Sequence, residues 1–145
     1  MTEKEDAAIA LGIIGDSRAV EPLIEYLEHS EDDHLRCDIV TALGRIGDKK
    51  ATPALIEALL NDSYRHTRCE AARALGEIGD KRAIPALEKA LKDEYYHTRW
   101  RAAKALKKLT GKDYTYEGSK ETPLKEVEEM MKKIKETEKE LPKQK

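Results

Sequence analysis

The chain has 145 residues, of which 39% are hydrophobic and 39% charged, with one Trp and no Phe. A formal net charge of −2 excludes a global field that would draw it to nucleic acid or to an anionic membrane. The longest apolar run, Ala7 to Ile14, is far shorter than the roughly 20 residues that span a bilayer.

Without Phe, the chain cannot build a large aromatic core. It has instead many Ala, Leu and Ile side chains, which suit small elements held close together. The opening MTEKEDAA is acidic and lacks the basic and apolar regions of a signal peptide. A soluble, cytoplasmic protein is therefore expected. The single Asn and single Gln, set against many Lys, Glu and Arg, point to a thermophilic source.

The chain repeats itself. ALGIIGDSRAVEPLIEYL begins at Ala10, ALGRIGDKKATPALIEAL at Ala42 and ALGEIGDKRAIPALEKAL at Ala74. Leu11, Leu43, Leu75 and Leu106 mark one position at spacings of 32, 32 and 31. Such a period implies stacked copies of one supersecondary unit. Each unit reads as two helices. Helix A runs roughly from Ala51 to Leu60, with Pro53 in its first turn, where a missing N–H costs little. Asn61-Asp62-Ser63 is a turn cluster. Helix B runs roughly from Tyr64 to Ile78, with Thr67, Ala71, Ala74 or Leu75, and Ile78 on its buried stripe. Gly79 is the expected left-handed residue after the helix, and Asp80 is placed to accept from backbone N–H groups of the next one. Gly12, Gly44 and Gly76 fall in mid-helix, where glycine costs up to about 1 kcal/mol against Ala. Their recurrence predicts close approach by a neighbouring helix.

The array opens with half a unit, since residues 4–14 match helix B alone. It ends near Gly111, where the fourth copy has decayed to LKKLTGKD. Residues 1–112 are thus an all-α solenoid, a superhelix of about 3.5 helix pairs, in which each pair buries its apolar face only against its neighbours. Residues 113–145 form a polar connector and a C-terminal amphipathic helix. Tyr114 and Tyr116 are expected to cover the end of the core. Thr122 and Pro123 open the last helix, and Leu124, Val127, Met131, Ile134 and Leu141 form its narrow apolar stripe, near a 3.5-residue period. That helix caps the last repeat, assembles the chain into a homodimer, or serves as a partner-bound tail.

The motif L-G-x-I-G-D-x-R-A-x-x-P-L, followed by x-R-x-x-A-A-x-A-L-G, resembles the HEAT-like repeats of phycobilisome (bilin) lyases over residues 5 to about 112. The resemblance implies an α-solenoid whose B helices line the concave side, used mostly as a protein-binding scaffold. Leu35, Thr67 and Thr98 replace the Val usual before the B-helix arginine. The arginines themselves, Arg36, Arg68 and Arg99, are expected to pair with acidic turn residues such as Asp32, Asp62 and Asp93.

Aligned B helices give ladders: Asp6, Asp38, Glu70, Arg101; Ile9, Thr41, Arg73, Lys104; Ile13, Arg45, Glu77, Lys108; and Glu5, Cys37, Cys69, Trp100. They grade from apolar and acidic to basic along the array. The candidate partner-binding surface is therefore Asp38, Arg45, Cys69, Glu70, Arg73, Glu77, Trp100, Arg101, Lys104 and Lys108. Trp100 flanked by Arg101 and Lys104 has the composition of a binding hot spot. It is equally suited to packing under the C-terminal segment. Ile9 and Ile13 are candidates for exposed apolar surface.

Cys37 and Cys69, on adjacent helices about 8–10 Å apart, exceed the about 4.4–6.8 Å that a disulfide allows. Free thiols are expected. His34, His66 and His97 run in parallel, one per layer, and do not converge as metal ligands must. HEAT-like deoxyhypusine hydroxylases carry His-Glu dipeptides where this chain has Cys37-Asp38 and Cys69-Glu70, which disfavours that activity. No catalytic triad spacing and no glycine-rich phosphate loop occurs. The expected function is non-catalytic binding of a protein or peptide, with no cofactor and no metal. Two alternatives are a lyase-like enzyme subunit, with Cys37 or Cys69 as nucleophile, and nucleic-acid binding. The latter follows HEAT-like DNA glycosylases, through Arg73, Arg99, Arg101, Lys104, Lys107 and Lys108.

Overall fold

The computed structural model describes residues 3–119 and 124–140. Along the chain run α1 (Glu3–Ile14), α2 (Val20–His29), α3 (Asp33–Ile46), α4 (Thr52–Asn61), α5 (Arg65–Ile78), α6 (Ile84–Ala90), α7 (Tyr96–Thr110) and α8 (Leu124–Glu140). There is no strand among the described residues. Helices α1, α3, α5 and α7 are the B layer; α2, α4 and α6 are the A layer. Two layers of helices, each pair stacked on the next, make the α-solenoid that the repeats predict.

The B-to-A junction is built identically each time. Gly15, Gly47 and Gly79 adopt φ of 86°, 73° and 75°, left-handed values that side-chain-bearing residues avoid. Asp16, Asp48 and Asp80 follow and accept from the N–H of Arg18, Lys50 and Arg82 at 2.9, 2.9 and 3.0 Å. That bond starts a short 3-10 turn, which passes straight into the A helix. Arg82 also folds back on Asp80 at 2.7 Å and donates to the Lys49 carbonyl of the preceding unit at 3.2 Å.

The core is one continuous strip between the layers, with Leu23, Leu43, Leu55, Leu59, Leu75, Leu87 and Leu106 essentially without solvent exposure. Alanines 71, 72, 74, 102 and 105 keep the B helices thin. The mid-helix glycines complete this. A Cβ added at Gly12, Gly44 or Gly76 would lie 2.6, 2.8 or 2.9 Å from the Cβ of Ala42, Ala74 or Ala105. Those positions on α1, α3 and α5 are where the next B helix comes nearest. The A helices touch one another far less than the B helices do. A stack that is tight on one layer and loose on the other bends toward the tight layer.

The B-helix arginines do pair with turn aspartates, but of the next unit. Arg36 Nε lies 2.9 Å from Asp62, and Arg68 Nε lies 2.9 Å from Asp93. Asp32 has a different role from the one expected: it caps α3 by accepting from the N–H of His34 and Leu35 at 3.0 and 3.2 Å. Arg99 has no following unit and bonds the Glu117 carbonyl of the connector instead, at 3.1 Å. The one-residue deletion in the last full unit shortens α6, which closes in a tight turn at Leu91 and Lys92. Asp93 still reaches Arg68.

At the C-terminal end Tyr114 packs on the core, and the ring of Tyr116 lies 6.0 Å from that of Tyr96. Thr122, Pro123 and Leu141 lie outside the described residues, as do the side chains of Glu5, Leu124 and Val127.

Candidate functional site

The outward positions of the B helices carry the predicted surface. On α5, Arg73 is clamped between Glu70, at 2.8 Å, and Glu77. The i−3 and i+4 spacing on one helix face makes this arrangement automatic. Glu70 also accepts from the Thr41 hydroxyl of α3 at 3.3 Å, so it links two units. On α7, the Arg101 guanidinium and the Lys104 ammonium lie 4.7 and 4.4 Å from the centre of the Trp100 ring. Trp100 is half-buried, with cations held against its face.

Two depressions adjoin these side chains. One, of about 140 Å³, lies between α5 and α7 and is lined by Arg73, Gly76, Glu77, Arg101, Lys104, Ala105 and Lys108. The other, of about 330 Å³, runs from Trp100 and Ala103 to Tyr114 and Tyr116, with Lys104, Lys107 and Lys108 beside it. Lys107 is neutralised by Asp113 at 2.9 Å, whereas Lys108 makes no ion pair with any described residue. Of the ten predicted residues, six therefore gather at the C-terminal half of the face: Arg73, Glu77, Trp100, Arg101, Lys104 and Lys108. Trp100 belongs to the same hollow as the tyrosines. Asp38 and Arg45 stand apart, exposed on α3 and without an ion pair to any described residue. At the other end Ile9 is partly buried against the core, while Ile13 is 60% exposed.

The sequence reading missed a column of rings along the N-terminal ends of the B helices. His34, Tyr64, His66, Tyr95 and His97 follow one another edge to face at centroid distances of 5.5, 5.0, 5.5 and 5.0 Å. Tyr96 extends it from His97 at 5.7 Å and leads to Tyr116. The three histidines recur as a ladder in the sequence, and the tyrosines fill the spaces between them. The signal was the recurrence of Tyr-x-His-Thr-Arg in YRHTR and YYHTR, 31 residues apart.

Two overlapping stretches, residues 3–68 and 52–133, match the family model described as HEAT repeats. The chain belongs to the HEAT-repeat family. Among solved structures, the complex of CpcE and CpcF of phycocyanin lyase from Nostoc sp. PCC7120 has a similar chain, with a TM-score of 0.51 and 24% identity. That likeness covers 74% of this chain and 59% of the other, and at this identity it speaks for the fold alone. No curated protein matches the chain in sequence.

In this HEAT-repeat array both cysteines are free and half-buried. Burial, with the carboxylates of Glu70 and Asp38 nearby, pushes the Cys37 thiol up to about 11. Burial also raises Cys69, with Glu70 acting in the same direction and Arg101 and Arg73 opposing. Neither environment generates the thiolate that a nucleophile needs. Among the described residues no group of three or more His, Cys, Asp or Glu is placed to hold a metal ion. No described helix is long and apolar enough to cross a membrane.

Proposed function

We propose that this HEAT-repeat array is a non-catalytic interaction module that binds a protein or peptide segment along the concave face of its B helices. The observation that carries the reading is Trp100, half-buried between two cations and opening onto the hollow shared with Tyr114. A large aromatic in a partly desolvated, cation-rimmed hollow supplies most of the energy of a typical interface from very little area. Lys108 and Arg45, free of ion pairs with described residues, favour acidic groups and speed their approach. The clamped Glu70–Arg73–Glu77 set gives the middle of the face a fixed pattern of charge, which serves register more than affinity. The raised thiols support the non-catalytic reading.

Trp100 is the sole tryptophan, so it is also the probe. Peptides selected from a random library on the full chain should change its fluorescence on binding. Trp100→Ala should weaken those peptides by about tenfold or more, and Glu57→Lys, on the A layer, should leave them unchanged. A selection that yields only peptides indifferent to Trp100→Ala would overturn the reading.

A further inference from the structure

Helix α8 has an apolar stripe that no described residue covers. Met130, Met131 and Ile134 are 58%, 52% and 52% exposed, and every other described side chain from Glu128 to Lys139 is exposed as well. A helix of 17 residues owes most of its stability to packing such a face. Its charges then say what the partner is. In the heptad that puts Met131 and Ile134 on the seam, Glu128 and Lys135 both fall at the flanking position on the same side, and Glu138 falls on the seam itself.

We propose that α8 pairs with α8 of a second copy of this chain, antiparallel, about a two-fold axis between Met131 and Ile134. Met131 then packs on the partner's Ile134, and Ile134 on the partner's Met131. Glu128 faces the partner's Lys135, and Lys135 faces the partner's Glu128, so one sequence satisfies both halves of an isologous contact. Thr137, whose hydroxyl is already bonded to the Lys133 carbonyl at 2.9 Å, lies beside the partner's Met130 without an unmet polar group. A parallel pair fails on the same residues. It sets Glu138 against the partner's Glu138 on the seam and leaves Glu128 and Lys135 with no charge opposite. Antiparallel pairing separates the two Glu138 side chains by roughly 16 Å, from 11 residues at the helical rise. The contact is short, so the dimer is weak and concentration-dependent. The inference does not depend on the B-face reading.

Sedimentation velocity on the full chain tests it over a range of concentrations at low salt. The wild type should dimerise reversibly. Glu128→Lys alone places two lysines opposite each other twice, and Lys135→Glu alone does the same with glutamates. Each should weaken the dimer by about tenfold. An equimolar mixture of the two variants restores both attractions and should dimerise as the wild type does. So should the double variant Glu128→Lys/Lys135→Glu. These positions are exposed and remote from the core, so the array stays folded. A wild type that is monomeric at every concentration overturns the proposal, and so does a dimer whose strength ignores the swaps or is not regained in the mixture.

Discussion

The two layers of the array are made from the same kinds of residue and behave differently. In the B layer, Gly44 meets Ala74 so closely that one added carbon would sit 2.8 Å from its neighbour. In the A layer, α2 and α4 leave a groove of about 460 Å³ between Leu27, Ala54 and Ala58, rimmed by Glu28 and Glu57. Small side chains in one layer draw helices together; in the other they leave a gap. The closeness of the helices thus comes from where the glycines fall, not from overall composition.

The strongest way to break that difference is to enlarge the tight seam. Gly44→Val inserts branched carbons against the Ala74 backbone, which overpacking makes costly by about 3 kcal/mol. Urea unfolding should show the loss as a lower midpoint. The next effect is at the turn edge. Arg68→Ala leaves the partly buried Asp93 without its counter-charge, held only by the Tyr95 N–H at 2.9 Å, and removes the bond to the Asp62 carbonyl at 2.9 Å. A loss of about 2 kcal/mol is expected from stranding such a group. An Arg68→Ala/Asp93→Ala cycle should recover part of it as coupling.

Acid probes the junction between the layers. The Arg82 side chain and backbone N–H hold the Asp80 carboxyl well below its ordinary 3.8, and Arg18 holds Asp16 at about 2 in the same way. A depressed carboxylate contributes stability that is fully present above its unfolded value and is lost as pH falls through its folded value. Thermal midpoints should therefore be flat above about pH 5 and fall from there down through about pH 2 and below. Asp80→Asn should lower the plateau and shrink that fall. The smallest effect is expected in the loose layer. Ala54→Leu has the α2–α4 groove to grow into and should change stability by no more than about 0.5 kcal/mol, in either direction. A large loss there would show the groove to be narrower than described.

The repeats made the helices legible, because Gly-Asp junctions and the spacing of Leu11, Leu43 and Leu75 are local and periodic. The mid-helix glycines were legible for the same reason. Contacts between units were harder to read. Arg36 could be matched to an acidic turn but not to the correct one, since Asp32 and Asp62 are equally near in pattern and only stacking chooses between them. The ring column escaped because only the pairs Tyr64–His66 and Tyr95–His97 lie within a unit, and the links His34–Tyr64 and His66–Tyr95 form only once units are stacked. At the candidate site, the composition of Trp100, Arg101 and Lys104 was readable. That Trp100 shares a hollow with Tyr114 depends on the path of the connector, whereas Asp38 and Arg45 lie apart because α5 stands between α3 and α7.

Each B-helix arginine holds the turn that leads into its own helix and also reaches forward. Arg36 grips the turn of the second full unit, Arg68 that of the third, and Arg99 the connector carbonyl that stands in for a fourth. A gene carrying this pattern can lengthen by in-frame duplication. An inserted unit receives the grip of its predecessor and offers its own to its successor, so no contact has to be invented. Growth at the far end is different, because a new terminal unit would have to displace Glu117 and the tyrosines that now close the array. The architecture therefore favours expansion from within and conserves its last page.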